Sequence, residues 1–155
     1  CNMAPRSRGR ISLISRDPTA SPRVETNYLS DSGEIDVSVL SHGLSLMRKI
    51  ASRQPLASVL AQEVGPWYDL HSNREIKNHL KNTVVNYSHA VGTCKMGSYS
   101  DSGSVVNADG KLYGVDNLYV ADASIIPTIP LANTNLTSML IGVKIAAGLV
   151  DNQSY

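Results

Sequence analysis

A short apolar run followed by a long apolar helical segment constrains the fold of this chain most strongly. Residues 118–121 are continuously apolar up to Asp122, which is typical of a buried strand in a parallel sheet. After a loop rich in Pro and Asn, the spacing predicts a helix from about Thr134 to Val150, with an Asn or Thr available to cap it. The side chains predicted to face inward are Leu136, Met139, Leu140, Val143, Ala147 and Val150. Strand, loop and helix in this order form half of a nucleotide-binding unit, whose ligands lie at the carboxyl ends of its strands.

The preceding part of the chain predicts an antiparallel sheet with helices. Alternation predicts two strands between residues 9 and 28, with Ile11 and Leu13 on one face. A helix is predicted from Asp36 to a point before Pro55, because apolar residues recur every three or four positions, at Val37, Leu40, Leu44, Met47 and Ile50. A second helix is expected after Ser72, because Ser72 and Glu75 form a capping-box pattern that precedes Ile76, Leu80 and Val84. The whole pattern favours a mixed fold, α+β or α/β.

The composition argues against several classes of protein. With 155 residues, of which 42% are hydrophobic and 17% charged, the chain is expected to fold rather than to be disordered. A formal net charge of +1, without clustered Lys and Arg, argues against a nucleic-acid partner. Polar residues interrupt the longest apolar stretch, so no membrane span is predicted. His71, Glu75 and His79 are spaced by four, but His71 precedes the helix cap, which favours a solvated helix face over a metal site.

Two polar residues in turn-rich segments are candidate catalytic residues. His89 lies in residues 87–97, with the sequence YSHAVGTCKMG, and Asn133 ends a loop rich in Pro. Loops of this kind often present catalytic side chains. On spacing alone, a hydrogen-bonded core histidine and a helix-capping asparagine are the more common interpretations of these residues. Cys94 is interpreted as a small buried hydrophobic residue, because the sequence fixes no base beside it.

Four segments in a fixed order resemble the carboxy-terminal part of the glucose–methanol–choline (GMC) oxidoreductases, FAD enzymes that oxidise alcohols. Residues 5–13 are similar to the strand that enters the substrate-domain sheet, and they are followed by a similar stretch within residues 17–29. Residues 89–97 are similar to the block with the catalytic histidine, and residues 117–124 to the strand that returns to the flavin domain. The resemblance implies that residues 1–115 belong to a substrate-binding domain and residues 116–155 to the terminal strand and helix of a Rossmann-like FAD-binding domain.

The resemblance also implies FAD as the cofactor. It places backbone of Asp122, Ala123, Asn133, Thr134 and Asn135 against it, with the amino end of the last helix offsetting negative charge on the reduced flavin. The chain contains no GxGxxG turn on which the pyrophosphate of FAD could rest. We therefore expect the fold to be incomplete alone and a companion polypeptide to carry the N-terminal FAD-binding domain.

The same resemblance implies the reaction. His89 would accept the hydroxyl proton of a small alcohol while hydride passes to the flavin, since imidazole is suited to proton transfer near neutral pH. Asn133 would donate to the same oxygen, orienting the alcohol and stabilising charge on it. Many relatives have a second histidine where this chain has Asn133, although asparagine also occurs there in the family. The expected function is the catalytic carboxy-terminal part of an FAD-dependent alcohol oxidase or dehydrogenase.

Other functions stay open. A flavin-containing hydroxynitrile lyase or cyclase without net redox chemistry would use the same histidine as acid and base, and a non-catalytic structural relative would keep only the fold. Tyr87 and Trp67 would fit either an aromatic pocket wall or the core. The sequon at Asn152 would suit a secreted or extracellular protein.

Overall fold

The computed structural model describes residues 1–151 as an α+β protein with two compact units, divided between Val85 and Asn86. The first unit holds strands β1 (Arg10–Ser12) and β2 (Arg23–Glu25) and helices α1 (Ile35–Ala51) and α2 (Asn73–Thr83). The second holds helix α3 (Asn135–Asp151). Single 3₁₀ turns cover Leu56–Ser58 and Ala123–Ile125. The sequon at Asn152 lies outside the described residues, and no helix within residues 1–151 is long and apolar enough to cross a membrane.

Strands β1 and β2 form the antiparallel pair predicted from residues 9–28, although each is only three residues long. Ile11 lies opposite Val24, and Arg10 forms an ion pair with Glu25 at 2.7 Å. The apolar side chains of the pair are largely exposed, as are those just beyond it, including Leu13 at 84%. The hairpin therefore contributes little to the core of its own unit.

Helices α1 and α2 supply the core of the first unit. Val37 of α1 is buried with Ile76 and Leu80 of α2, and the half-buried residues packed on them are Leu29, Leu40, Leu44, Trp67 and Leu70. The predicted capping box is confirmed, because the Ser72 hydroxyl accepts from the Glu75 amide while the Glu75 carboxylate accepts from the Ser72 amide. The predicted inward stripe of α1 was wrong at Met47 and Ile50, which are exposed. Helix α2 has 11 residues and α1 has 17, so α2 is too short to pack along the whole of α1. The packed stripe of α1 therefore ends at Leu44.

A buried carboxylate fixes the start of α1. Asp36 is 2% exposed and accepts hydrogen bonds from the amides of Arg6 and Ser7, from the Ser7 hydroxyl and from the Asn2 side chain. Burial by itself raises the pKa of Asp36, but the hydrogen bonds from Ser7, Arg6 and Asn2 outweigh it and leave the pKa below its ordinary value. This arrangement ties the first residues of the chain to the helix.

The second unit is built on Val106, Ile125 and Ile145, which form a buried cluster. Ile141 and Leu149 pack against it from α3. This is the opposite side of α3 from the one predicted, because five of the six residues expected to face inward are exposed large hydrophobic residues: Leu136, Met139, Leu140, Val143 and Val150. The helix is apolar on two sides, so that spacing alone does not decide which side packs on this unit.

The parallel-sheet strand predicted at residues 118–121 was also wrong. Within the described residues this stretch forms no strand and makes one isolated antiparallel bridge, between Tyr119 and Lys111. No neighbouring parallel strand is available to it in residues 1–151, so its backbone pairs with the preceding turn.

The two compact units divide the chain earlier than the predicted domains do, after Val85 and not after residue 115. Val106 lies within the predicted first domain, but it shares a buried cluster with Ile145 of α3 in the second unit.

Candidate active site

His89 is presented by a short loop with an unusual backbone. The preceding residue, Ser88, has a φ of +60°, a left-handed conformation that a residue other than glycine seldom adopts. The Ser88 amide donates to the Asn86 side chain at 2.9 Å, which holds the turn. Gly92 follows with a φ of +85° and with its Cα close to the Ile126 carbonyl oxygen, which an added Cβ would approach to 3.3 Å. Gly92 adopts its φ without strain, whereas the strain at Ser88 is of a kind that commonly occurs at functional sites.

Main-chain hydrogen bonds join the residues after this loop to the rest of the second unit. The Cys94 amide donates to the Ser124 carbonyl at 2.9 Å, and the Met96 amide donates to the Ile125 carbonyl at 2.8 Å. The Gly97 amide donates to the Val106 carbonyl at 3.1 Å. The His89 segment is therefore joined to the turn at residues 122–126, which is the other segment predicted to reach a cofactor.

Asp122 and Ala123 lie in that turn. The Asp122 carboxylate caps the 3₁₀ turn Ala123–Ile125 by accepting from the Ser124 amide at 2.8 Å. Hydrogen bonding from Ser124 holds the pKa of Asp122 below its ordinary value. The carboxylate is thus occupied by its own turn, while Asp122 remains exposed and Ala123 is half-buried. Of the two, the exposed Asp122 is the more accessible to a ligand.

His89 meets the start of α3 directly. Its Nδ1 lies 3.0 Å from the Thr134 hydroxyl oxygen, and Thr134 is 7% exposed. Asn133 precedes Thr134 and is exposed, as is Asn135, the first residue of α3. Within residues 1–151 the Asn133 side chain makes no hydrogen bond, so its amide is available to a ligand. The structure thus places His89 against Thr134, the residue next to Asn133, and the Thr134 hydroxyl binds the imidazole.

The Thr134 side chain is the site residue whose role the sequence did not indicate. A threonine before a helix predicts a cap, and the resemblance implied only backbone contact with a cofactor. Its hydroxyl contacts a side chain 45 positions away, which local sequence patterns do not report. The available signal was the position of Thr134 directly after the candidate Asn133.

The two aromatic residues considered as pocket walls, Tyr87 and Trp67, lie in different places. The Tyr87 ring meets the His89 ring edge-on, with centroids 5.5 Å apart, and Tyr87 is largely exposed. Trp67 packs on the core of the first unit and against His79, at 4.5 Å. Of the two pocket-wall candidates, Tyr87 is the one beside the histidine.

The predicted helix face near His79 is engaged in structural contacts. The Glu75 carboxylate is used by the capping box, and the His79 ring packs on Trp67. Among residues 1–151 there is no group of three His, Cys, Asp or Glu side chains arranged to hold a metal ion.

The amino end of α3 offers main-chain donors beside His89. The first α-helical bond of this end runs from the Ser138 amide to the Thr134 carbonyl, at 2.8 Å. Amides before Ser138 lie in the first turn, where an α-helix has no internal acceptors for them, and they carry the positive end of the helix dipole. Donors of this kind suit the negatively charged edge of a reduced flavin. The residues present therefore fit one edge of FAD, although they include no glycine-rich turn for its pyrophosphate.

Comparison with known proteins identifies one family. The family model described as GMC oxidoreductase matches residues 5–142. An oxygen-dependent choline dehydrogenase of Photobacterium profundum is 34% identical over 148 residues, which cover 96% of this chain and 26% of that protein. A chloroplastic fatty acid photodecarboxylase of Chlamydomonas reinhardtii is also 34% identical, over 92% of this chain and 23% of that protein. The chain thus spans about a quarter of the length of these relatives.

The fold is similar to that of a solved flavoprotein as well. A solved structure of a formate oxidase of Aspergillus oryzae RIB40, described by the effect of a mutation on FAD modification, superposes with a TM-score of 0.78 at 25% identity. The match covers 90% of this chain and 24% of the oxidase chain.

Proposed function

Since this chain belongs to the GMC oxidoreductase family, we propose that it is the carboxy-terminal catalytic part of an FAD-dependent enzyme that oxidises an alcohol. The observation that carries the proposal is the contact between His89 and Thr134, which sets the candidate base beside Asn133 and the amino end of α3. A base and an amide donor suit deprotonation and orientation of an alcohol, and a helix end suits the negative charge of the reduced flavin that would accept the hydride.

Each residue has a role in this proposal. His89 takes the proton of the alcohol hydroxyl, and the Asn133 amide donates to the same oxygen, so that the reacting C–H bond is held in one direction. Tyr87 limits access beside the histidine ring. Bound FAD supplies the acceptor for the hydride. Backbone at Asp122, Ala123, Thr134 and Asn135 would lie along its edge, and the first turn of α3 would offset negative charge there.

The missing cofactor domain forms the second part of the proposal. The relatives are about four times as long as this chain, and α3 exposes the apolar side formed by Leu136, Met139, Leu140 and Val143. Exposed apolar surface of this kind typically marks an interface. We assign it to a companion polypeptide region that carries the FAD-binding domain, with residues 1–115 completing the substrate-binding domain and residues 116–155 completing the FAD-binding domain.

An absorption experiment tests the function. This chain is purified together with the FAD-binding region, and a flavin spectrum is recorded before and after anaerobic addition of primary alcohols. We expect a yellow protein whose flavin absorbance is bleached by at least one alcohol, whereas a matched tertiary alcohol, which has no C–H bond on the carbinol carbon, leaves it unchanged. A flavin that stays oxidised with a broad panel of primary alcohols would refute the proposal.

The photodecarboxylase relative favours one further candidate, a flavin protein without net alcohol oxidation. A lyase or cyclase would use His89 as acid and base and leave the flavin oxidised. Turnover of a cyanohydrin or a cyclisable substrate, with the flavin absorbance unchanged, would support that function in place of alcohol oxidation.

A further inference from the structure

The side-chain contact between Thr134 and His89 determines which nitrogen of the imidazole is available. Nδ1 faces the Thr134 hydroxyl at 3.0 Å, so only Nε2 can face a substrate. A neutral imidazole carries one N–H and one lone pair, and a hydroxyl can accept from the first or donate to the second.

A threonine hydroxyl suits both protonation states of the ring. When His89 is neutral and acts as a base, Nδ1–H donates to the Thr134 oxygen and leaves the lone pair on Nε2. When His89 is protonated, Nδ1–H makes the same bond, and the ring keeps its orientation. Valine has nearly the same shape as threonine but has no hydroxyl, and so would fill the space without a hydrogen bond to Nδ1.

Thr134 is itself firmly held. It is nearly buried, and its carbonyl accepts from both the amide and the hydroxyl of Ser138, each at 2.8 Å. On the other side of the contact, the left-handed Ser88 and its bond to Asn86 fix the backbone of the His89 loop. Each partner is thus held in position by contacts within its own segment.

We propose that Thr134 is a positioning residue that holds His89 in the Nδ1–H tautomer and so makes Nε2 the base. This inference rests on the proposed alcohol oxidation. In that reaction the proton of the alcohol O–H bond passes to Nε2, the C–H hydrogen leaves with its electron pair to FAD, and the C=O bond of the product forms. The Nε2–H tautomer would have no lone pair to receive that proton.

Nitrogen-15 NMR of the histidine rings tests the tautomer without reference to activity. The spectrum is recorded on the flavin-loaded protein above pH 8, where an exposed imidazole is neutral, with the His89 signals assigned by their loss in His89→Gln. We expect the wild-type protein and Thr134→Ser to show a protonated Nδ1 and an unprotonated Nε2, and Thr134→Val to lose this preference. A wild-type ring with its proton on Nε2 would overturn the inference even if no variant folded.

Anaerobic flavin reduction gives the second readout. We expect Thr134→Val to lower the limiting rate roughly 10-fold to 100-fold, and Thr134→Ser to restore it to within a few-fold of wild type, because the hydroxyl returns. Thr83→Val, which removes a hydroxyl bonded to the His79 carbonyl in α2, is the matched control and should leave the rate unchanged.

The two proposals fail separately. A Thr134→Val protein that is reduced at the wild-type rate contradicts the positioning role, even if alcohol oxidation stands. A wild-type protein that no alcohol reduces contradicts the proposed function, and with it the catalytic consequence of the contact, while the NMR result still decides whether Thr134 selects the tautomer.

Discussion

The Met96 amide donates to the Ile125 carbonyl at 2.8 Å and joins the two candidate site segments of the second unit. One segment begins with the His89 loop, and the other contains the turn capped by Asp122. Because the bond is made by main-chain atoms, it holds the two segments together whatever the side chains at these positions. The site is consequently built on a backbone frame that point variants of His89 should leave in place.

Removing the imidazole should slow the reaction without releasing the cofactor. In the flavin-loaded protein we expect His89→Ala to lower the limiting rate of anaerobic flavin reduction by about 10²-fold to 10⁴-fold, the usual contribution of general base catalysis. The flavin content per chain should remain that of wild type. His42→Ala, on an exposed position of α1, is the matched control. Reduction of His89→Ala at the wild-type rate would rule out His89 as the base.

The Asn133 amide should matter through the donor that it provides. We expect Asn133→Ala to lower kcat by roughly 10²-fold to 10³-fold, as loss of an oxyanion donor does in other enzymes. Asn133→His restores a donor and should recover much of this loss. Steady-state turnover of the three proteins measures the effect, with the exposed Asn82→Ala of α2 as control. Equal kcat values for wild type and Asn133→Ala would remove the residue from the mechanism.

Substitutions at two glycines should distinguish the stability cost of backbone strain from that of a steric clash. Gly110 and Gly114 have almost the same φ, +75° and +76°, but an added Cβ would lie 2.6 Å from Ile145 and Val120 atoms at Gly110 and would meet nothing within 4 Å at Gly114. We expect Gly114→Ala to lower the free energy of unfolding by about 1–2 kcal/mol from the left-handed conformation alone. Gly110→Ala should cost a further 1–3 kcal/mol or so from overpacking. Urea denaturation measures both, and equal losses would contradict the predicted clash.

Asp36 should make the first unit sensitive to acid. Its pKa is lowered in the folded protein, so its ionised form contributes stability above the ordinary value of 3.8, and that contribution is lost as the pH falls through 3.8 towards the folded pKa. We expect Asp36→Asn to lower the free energy of unfolding by about 1–3 kcal/mol near pH 7, because charged hydrogen bonds are replaced by neutral ones. Melting curves of both proteins between pH 3 and 7 should converge at the acid end. A gap that stays constant with pH would contradict the role of the charge.

The exposed side of α3 should bind the FAD-binding region. Leu140 is 66% exposed, and a carboxylate there would have to be desolvated at an apolar interface. We expect Leu140→Asp to weaken association by about 10-fold or more and to lower the bound flavin accordingly. Leu140→Met keeps an apolar side chain and is the control, and circular dichroism checks that the helix persists. Unchanged association of the Asp variant would place the interface elsewhere.

Local sequence signals predicted the helices well but not how they pack. The Ser72 and Glu75 pair predicted the start of α2, since a capping box acts within one turn. The position of α3 was predicted as well, whereas its inward side was not, because apolar residues occur on two sides and the choice depends on which neighbour is present. The strand predicted at residues 118–121 did not form for a related reason. A strand needs a neighbouring strand, and among the described residues this stretch makes only one isolated bridge.

The functional roles of His89 and Asn133 stay predictions, whereas their positions in the structure can be compared with the sequence. The resemblance pointed to His89 and Asn133 through short motifs, and the structure places His89 against the residue that follows Asn133. The Thr134 side chain was not identified as the partner of His89, because a contact across 45 positions depends on tertiary folding. Contacts that arise from local patterns were thus easier to predict than contacts between distant parts of the sequence.

The exposed apolar side of α3, if it binds the FAD-binding region as proposed, also bears on how the protein is produced. When made without its complement, this chain would present to water a row of large aliphatic side chains along the helix, a surface on which copies would associate with one another. Soluble yield should then depend on how much of the complementary region is synthesised at the same time. Cellular quality control would recognise unmatched copies by the same apolar row.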